Sequence, residues 1–155
     1  MEQATFAAGC FWGVEETFYE TDGVTATRVG YTGGGLDSPT YQQVCAGDTG
    51  HAEAVLVTFD PEVISYQALV ELFFKSHDPT QRNGQGVDIG PQYRSVIFYH
   101  NAAQYATALN VKEALDHSGR FRSSIVTEIT PATQFWDAEE YHQKYYQKNS
   151  CGCGF

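Results

Sequence analysis

Tyr66, Leu69, Val70, Phe73, Phe74 and His77 recur at i, i+3, i+4, i+7, i+8 and i+11, the spacing that lays one side of a helix against a core. The remaining segments alternate between strand-like and helix-like patterning. Thr5 to Gly9 reads as a short strand, and about Trp12 to Glu20 as a helix with Val14 and Phe18 on one face and Gly23 beyond its end. Val24 to Tyr31 reads as a second strand running into Gly33-Gly34-Gly35, and Ala52 to Phe59 as a third, stopped by Asp60-Pro61. A polar, glycine-rich loop lies between those two strands. His77 to Tyr93 carries three Gly and two Pro and reads as a long loop, of the length that usually serves function. A strand over Ser95 to Tyr99, a helix over Ala102 to His117 closed by Gly119, and a strand near Ile125 to Ile129 follow. In the last segment Asp137 and Glu140 are spaced as a capping box, and Glu140, Lys144 and Lys148 form i,i+4 pairs, which predicts a final helix.

The order of elements predicts an α+β fold: a two-layer α/β sandwich, a mixed β-sheet with packed helices, ferredoxin-like in its core. No internal repeat and no Pro/Ser-rich linker divides the chain, so residues 1–149 are expected to form one domain and 150–155 a mobile tail, Ser150-Cys151-Gly152-Cys153-Gly154-Phe155.

Composition narrows the partners. The 155 residues hold nine Lys plus Arg and nineteen Asp plus Glu, a net charge of −10, with no basic run to attract a nucleic acid or an anionic membrane surface. The apolar stretches are far shorter than the ~20 residues of a membrane span, and the first residues lack a basic, apolar leader. A monomer in the cytoplasm is the default expectation. A chain of this length buries roughly two-thirds of its unfolded surface, so the four cysteines are not needed as structural staples and are free for chemistry. Ten Tyr, ten Phe and two Trp exceed what a small core requires and point to an aromatic binding surface.

Cys10 follows Gly9 where a strand turns into a helix, and a helix N-terminus favours a thiolate. It reads as a nucleophile, the alternative being a buried structural thiol. Cys45, between Val44 and Ala46, fits the buried thiol. Phe11 and Trp12 are consecutive and cannot both enter the core from one helical face, so one ring is expected to face the site. The two-residue strand period sets Glu53 on the face of Val55, Val57 and Phe59. A carboxyl in apolar surroundings tends to stay protonated, which makes Glu53 a candidate general acid; the alternative is a strand-end carboxylate reaching water. Tyr41, Asp88 and Tyr93 offer two phenols and a carboxyl to an oxygen-bearing ligand, or are ordinary loop polarity. The five His residues have no metal-ligand spacing among themselves and read as structural. Cys151-Gly152-Cys153 suits thiol exchange, with a metal clip including His142 or a passive end as alternatives.

At Gly9-Cys10-Phe11-Trp12-Gly13-Val14-Glu15 the sequence resembles the peptide methionine sulfoxide reductase A family. Val29-Gly30-Tyr31-Thr32-Gly33-Gly34, Pro39-Thr40-Tyr41, Gly47-Asp48-Thr49-Gly50-His51-Ala52-Glu53, His77-Asp78-Pro79-Thr80 and Gln92-Tyr93-Arg94-Ser95 extend the likeness. The resemblance implies reduction of the S epimer of methionine sulfoxide, free or in peptides and proteins, by a catalytic domain over residues 1–149. In the family's pattern Cys10 matches the nucleophile and Glu53 the acid. Phe11 and Trp12 match the pocket for the methyl group, and Tyr41, Asp88 and Tyr93 the remaining polar site residues. Cys151 and Cys153 are then the resolving cysteines, reduced by thioredoxin or another dithiol, without a metal or organic cofactor. The family often separates its resolving cysteines with a longer glycine-rich stretch. Here either could meet Cys10 first, and Cys153, nearer the free end, is preferred.

Two rivals remain. The first is a different cysteine enzyme, a thiol peroxidase or an acyl-transfer hydrolase, the latter using His51 as base and an ionised Glu53 as its orienter. A peptide-binding module would leave Cys10 idle and clip a metal with His142, Cys151 and Cys153.

Overall fold

The computed structural model describes residues 1–149. Strand β1 (Glu2–Ala8) leads into helix α1 (Phe11–Tyr19), strand β2 (Val24–Thr32), short helix α2 (Tyr41–Cys45), strand β3 (Ala52–Phe59) and helix α3 (Tyr66–Lys75). A small hairpin, β4 (Gly84–Gln85) and β5 (Asp88–Ile89), and a 3-10 turn over Pro91–Tyr93 precede strand β6 (Ser95–Tyr99), helix α4 (Ala102–His117) and strand β7 (Glu128–Pro131). Strand β8 (Trp136–Asp137), a 3-10 turn over Glu140–His142 and helix α5 (Tyr145–Lys148) complete the described chain. Six strands form one sheet in the order β7-β6-β1-β3-β2-β8, with every pair antiparallel except β6 and β7. The fold is therefore α+β with a mixed sheet and packed helices. Among the described residues no helix is long and apolar enough to cross a membrane.

The apolar period of each element explains its seat. Phe6 of β1, Val55, Val57 and Phe59 of β3, Phe18 of α1, Phe73 and Phe74 of α3 and Ala108 of α4 meet in one buried cluster. Phe6 stacks between Phe18, at 4.9 Å, and Phe73, at 5.3 Å. Each fully buried side chain of this size is worth about 1.5–3 kcal/mol. The opposite sheet face carries smaller residues, Ala7, Ala52, Ala54 and Val96 with Phe98, against Ala132 and Phe135.

One registration sets the site. Phe6 pairs with Val55 in the antiparallel β1–β3 ladder, so the end of β1 meets the beginning of β3. Cys10 and Glu53, 43 positions apart in number, arrive at the same end of the sheet.

Three expectations are corrected here. The strand near Ile125 to Ile129 begins only at Glu128, because the amides of Ile125 and Val126 bond to Asp116 Oδ1 and to the Pro79 carbonyl, at 2.9 and 2.8 Å, and not to the sheet. The glycine-rich loop before β3 contains α2, capped by Thr40 and Gln43 in a reciprocal capping box. The final helix is broken: Asp137 lies in β8, and Lys144 sits in the left-handed region at φ 53°. Tertiary partners outweigh the helical i,i+4 pairs. Lys144 donates its amide to Glu15 at 2.7 Å and its Nζ to the Thr27 carbonyl at 2.7 Å. Gln143 bonds both main-chain groups of Val29 at 2.8 Å, and Glu140 pairs with Arg28 at 3.2 Å.

Candidate active site

Cys10 is the residue before the first turn of α1 and is half-buried. Gly9 turns the chain at φ +101°, and a Cβ there would come within 2.9 Å of Gln85, so glycine alone fits. The expectation of a thiolate is modified. Burial pushes the Cys10 thiol up to about 12, Glu53 adds to the rise, and the amides of Trp12 and Gly13 only partly oppose it. At that value the thiol keeps its proton at neutral pH.

Glu53 is 1% exposed. Its Oε1 accepts the amide of Phe11 at 3.2 Å, and its Oε2 has no partner among the described residues. Burial pushes its carboxyl up to about 8, against the lowering effect of the Phe11 amide. At neutral pH the group is an acid whose proton has an unoccupied direction. Tyr41 opens α2 and Tyr93 ends the 3-10 turn before β6. Burial, with the Glu53 charge contributing in each, raises both phenols, so both stay hydrogen-bond donors. Asp88, on β5, is exposed and interacts electrostatically with Cys10, Glu53 and Tyr93.

Phe11 is buried with Tyr31 and His142 around it, at ring distances of 5.7 and 5.2 Å. Trp12 takes the other direction: it is half-buried, donates its Nε1–H to His142 Nδ1 at 2.9 Å, and stacks on Tyr145 at 3.9 Å. Tyr146 lies beside Gly13 and interacts with Cys10. The structure thus brings together Cys10, Glu53, Tyr41, Tyr93, Asp88, Phe11 and Trp12. Cys151 and Cys153 lie outside the described residues.

Four groups were not expected. Tyr31, His142 and Tyr145 pack on the methyl-pocket candidates Phe11 and Trp12, and Glu139 bonds the Tyr31 hydroxyl; three of the four belong to the segment that a continuous final helix would have aimed elsewhere. Cys45 is a correction: it is exposed, because Val44, not Cys45, occupies the buried face of α2. Its sulfur lies within hydrogen-bonding reach of the Tyr41 hydroxyl. His51 is structural, as expected: Nδ1 accepts the Gly34 amide at 3.0 Å and Nε2 donates to the Leu36 carbonyl at 2.6 Å. With both nitrogens engaged it has none to offer Cys10, which removes the base of the hydrolase rival. His142 accepts the Trp12 indole N–H at Nδ1, which puts the ring proton on Nε2, an atom with no partner among the described residues; in that tautomer neither nitrogen has a lone pair to offer the metal-clip rival.

A thiol close to a carboxyl in its acid form and to two phenols is an arrangement that suits a ligand bearing a polar oxygen. The sequence profile described as peptide methionine sulfoxide reductase matches residues 2–153. The chain is 60% identical over 148 residues to the peptide methionine sulfoxide reductase MsrA of Methanosarcina acetivorans, covering 96% of this chain and 79% of that one. The crystal structure of Mxr1 from Saccharomyces cerevisiae in reduced form superposes with a TM-score of 0.91 at 42% identity, over 97% of this chain and 87% of that one. Mxr1 in complex with Trx2 superposes with a TM-score of 0.66 at 30% identity, over 93% and 84%. The chain belongs to the peptide methionine sulfoxide reductase family.

Proposed function

We propose that this protein reduces the S epimer of methionine sulfoxide, free or in peptides and proteins, to methionine, and so repairs oxidised proteins. The observation that carries this is the buried Glu53 beside Cys10, with Oε1 held by Phe11 and Oε2 unpaired. A sulfoxide oxygen gains negative charge as its sulfur is attacked, and a proton donor in that direction is what the reaction needs.

The substrate's methyl group enters among Phe11, Trp12 and their aromatic neighbours, and its oxygen turns to Glu53, Tyr41 and Tyr93. The Cys10 sulfur attacks the sulfoxide sulfur, forming an S–S bond, while Glu53 protonates the oxygen, the phenols donate hydrogen bonds to it, and the thiol proton passes to the Glu53 carboxylate. The hydroxyl then migrates to the Cys10 sulfur as the S–S and substrate S–O bonds break, so methionine leaves and Cys10 is a sulfenic acid; thiol plus sulfoxide has become sulfenic acid plus thioether. A tail cysteine, Cys151 or Cys153, condenses with the sulfenic acid, forming a disulfide and releasing water. A thioredoxin-type dithiol then reduces the disulfide by exchange; the relative crystallised with Trx2 supports that reductant. Asp88, at the rim, completes the polar set. Residues 1–149 are the catalytic domain in this scheme and 150–155 the resolving tail. The cycle consumes dithiol continuously, which fits a reducing compartment, the cytoplasm.

The core is further read as ferredoxin-like: β1-α1-β2-β3-α3-β6 has the sheet order β6-β1-β3-β2, antiparallel throughout, which supports that name.

Steady-state turnover of each pure sulfoxide epimer in a short peptide, with a dithiol present, tests the proposal. Turnover of the S epimer alone is expected; turnover of the R epimer alone, or of neither, overturns it.

A further inference from the structure

Glu139 stands outside every role assigned above, yet it joins the two halves of the pocket. Its Oε1 accepts the hydroxyl of Tyr31 at 2.8 Å and its Oε2 accepts the backbone amide of Tyr41 at 3.0 Å. Tyr31 lies on β2 and its ring packs 5.7 Å from Phe11, in the methyl half. Tyr41 is the first residue of α2 and carries one of the phenols of the oxygen half. The main chain around Glu139 is fixed in turn, the Ala138 amide bonding to the Val29 carbonyl at 3.0 Å and the His142 amide to the Glu139 carbonyl at 2.9 Å. His142 then packs on Phe11 and Tyr41 together, at 5.2 and 4.4 Å. One carboxylate therefore spans β2, α2 and the C-terminal segment.

The chemistry makes that span matter. The two epimers of a sulfoxide differ by exchanging methyl and oxygen about sulfur, so a pocket selects one only while its methyl and oxygen halves keep a fixed separation. A displacement of about 1 Å between reacting groups is enough to change rates a hundredfold. Helix α2 has five residues, too short to hold its own position, and needs an external tie. Glu139 is no competing proton donor. Burial tends to raise its carboxyl, but the Tyr41 amide, its own amide, the Tyr31 phenol and His142 together hold it below its ordinary value.

We propose that Glu139 is a positioning residue that sets epimer selectivity, by clamping Tyr41 of the oxygen half to Tyr31 of the methyl half. The inference rests on the reductase reading and names what enforces its stereochemistry.

The test compares kcat/KM for pure S and R epimers of one methionine sulfoxide peptide, with dithiothreitol as reductant, in wild type, Glu139→Ala, Glu139→Gln and Tyr31→Phe. Glu139→Ala is expected to lower S turnover about tenfold, mainly in kcat, and to raise R turnover as a fraction of S turnover at least about fivefold, as a loosened site predicts. Glu139→Gln is expected to stay within about threefold of wild type, because its amide oxygen accepts from Tyr41 and its amide nitrogen donates to the Tyr31 oxygen. Tyr31→Phe, which removes one arm without changing ring volume, is expected to lie between wild type and Glu139→Ala, and serves alone if Glu139→Ala does not fold. An unchanged epimer ratio in Tyr31→Phe and Glu139→Ala, or a Glu139→Gln as impaired as Glu139→Ala, overturns the clamp. Failure of the wild type to reduce either epimer overturns the reductase reading, and the clamp with it.

Discussion

Phe11 donates its backbone amide to Oε1 of Glu53 at 3.2 Å, so the residue next to Cys10, the proposed nucleophile, holds the proposed acid in place. Oε2 is left unpaired among the described residues. Glu53→Gln preserves shape and the Phe11 bond but has no acidic proton. It should lower the single-turnover rate of methionine formation by about 10²- to 10⁴-fold with little change in substrate affinity. A loss smaller than about tenfold would remove Glu53 from the acid role.

The same carboxyl sets the pH dependence. Its raised value, about 8, means that the acid form is present below pH 8 and lost above it. Single-turnover rates should therefore be level through neutrality and fall on the alkaline side of about pH 8, as a lone Glu53 would require. In Glu53→Gln that alkaline limb should disappear. A rate that keeps rising through pH 9 would mean that the thiolate of Cys10, and not the acid, is limiting.

How much of this was legible in the sequence depends on where each bond partner lies. Strands β3 and β6 and helix α4 have the bounds their patterns predict, because their apolar periods are local. The face of Glu53 followed from the same period. Helix α2 was missed although Thr40 and Gln43 carry a capping box, since its five residues have too short an apolar pattern to register. The final segment was misread for a different reason. Gln143 and Lys144 answer to Val29, Thr27 and Glu15, more than a hundred residues earlier, and nothing local to 137–149 reports that. The aromatic wall of His142 and Tyr145, and the clamp at Glu139, were lost with it.

Trp12 and His142 form a wall whose geometry depends on one hydrogen bond, indole N–H to Nδ1 at 2.9 Å. Trp12→Phe keeps a ring against Tyr145 but leaves Nδ1 without its donor, at a cost of about 1–3 kcal/mol. Substrate KM should rise roughly 5- to 150-fold, the range that such a cost spans, while kcat changes less. A Trp12→Phe enzyme with unaltered KM would show that the indole does not shape the pocket.

Glu15 governs stability more than chemistry. It is 2% exposed and accepts from Thr27 Oγ1 and from the Lys144 amide, both at 2.7 Å, with Lys144 Nζ at 3.5 Å. Glu15→Ala leaves those donors buried without an acceptor, so unfolding should become easier by about 2–4 kcal/mol. In thermal denaturation that is a fall of roughly 5–15 °C for a chain of this size. A melting temperature within about 2 °C of wild type would mean that water replaces the carboxylate there.

The most direct measurement counts methionine released from the S epimer without any reductant, by protein in which Cys151 and Cys153 are both replaced by Ser. With only the Cys10 oxidation step available, one equivalent of methionine per protein is expected, together with a sulfenic acid on Cys10 that a dimedone probe traps. Cys10→Ser should release none. Methionine from Cys10→Ser, or release from the tail variant with no oxidised Cys10, would contradict a reaction that begins at this thiol.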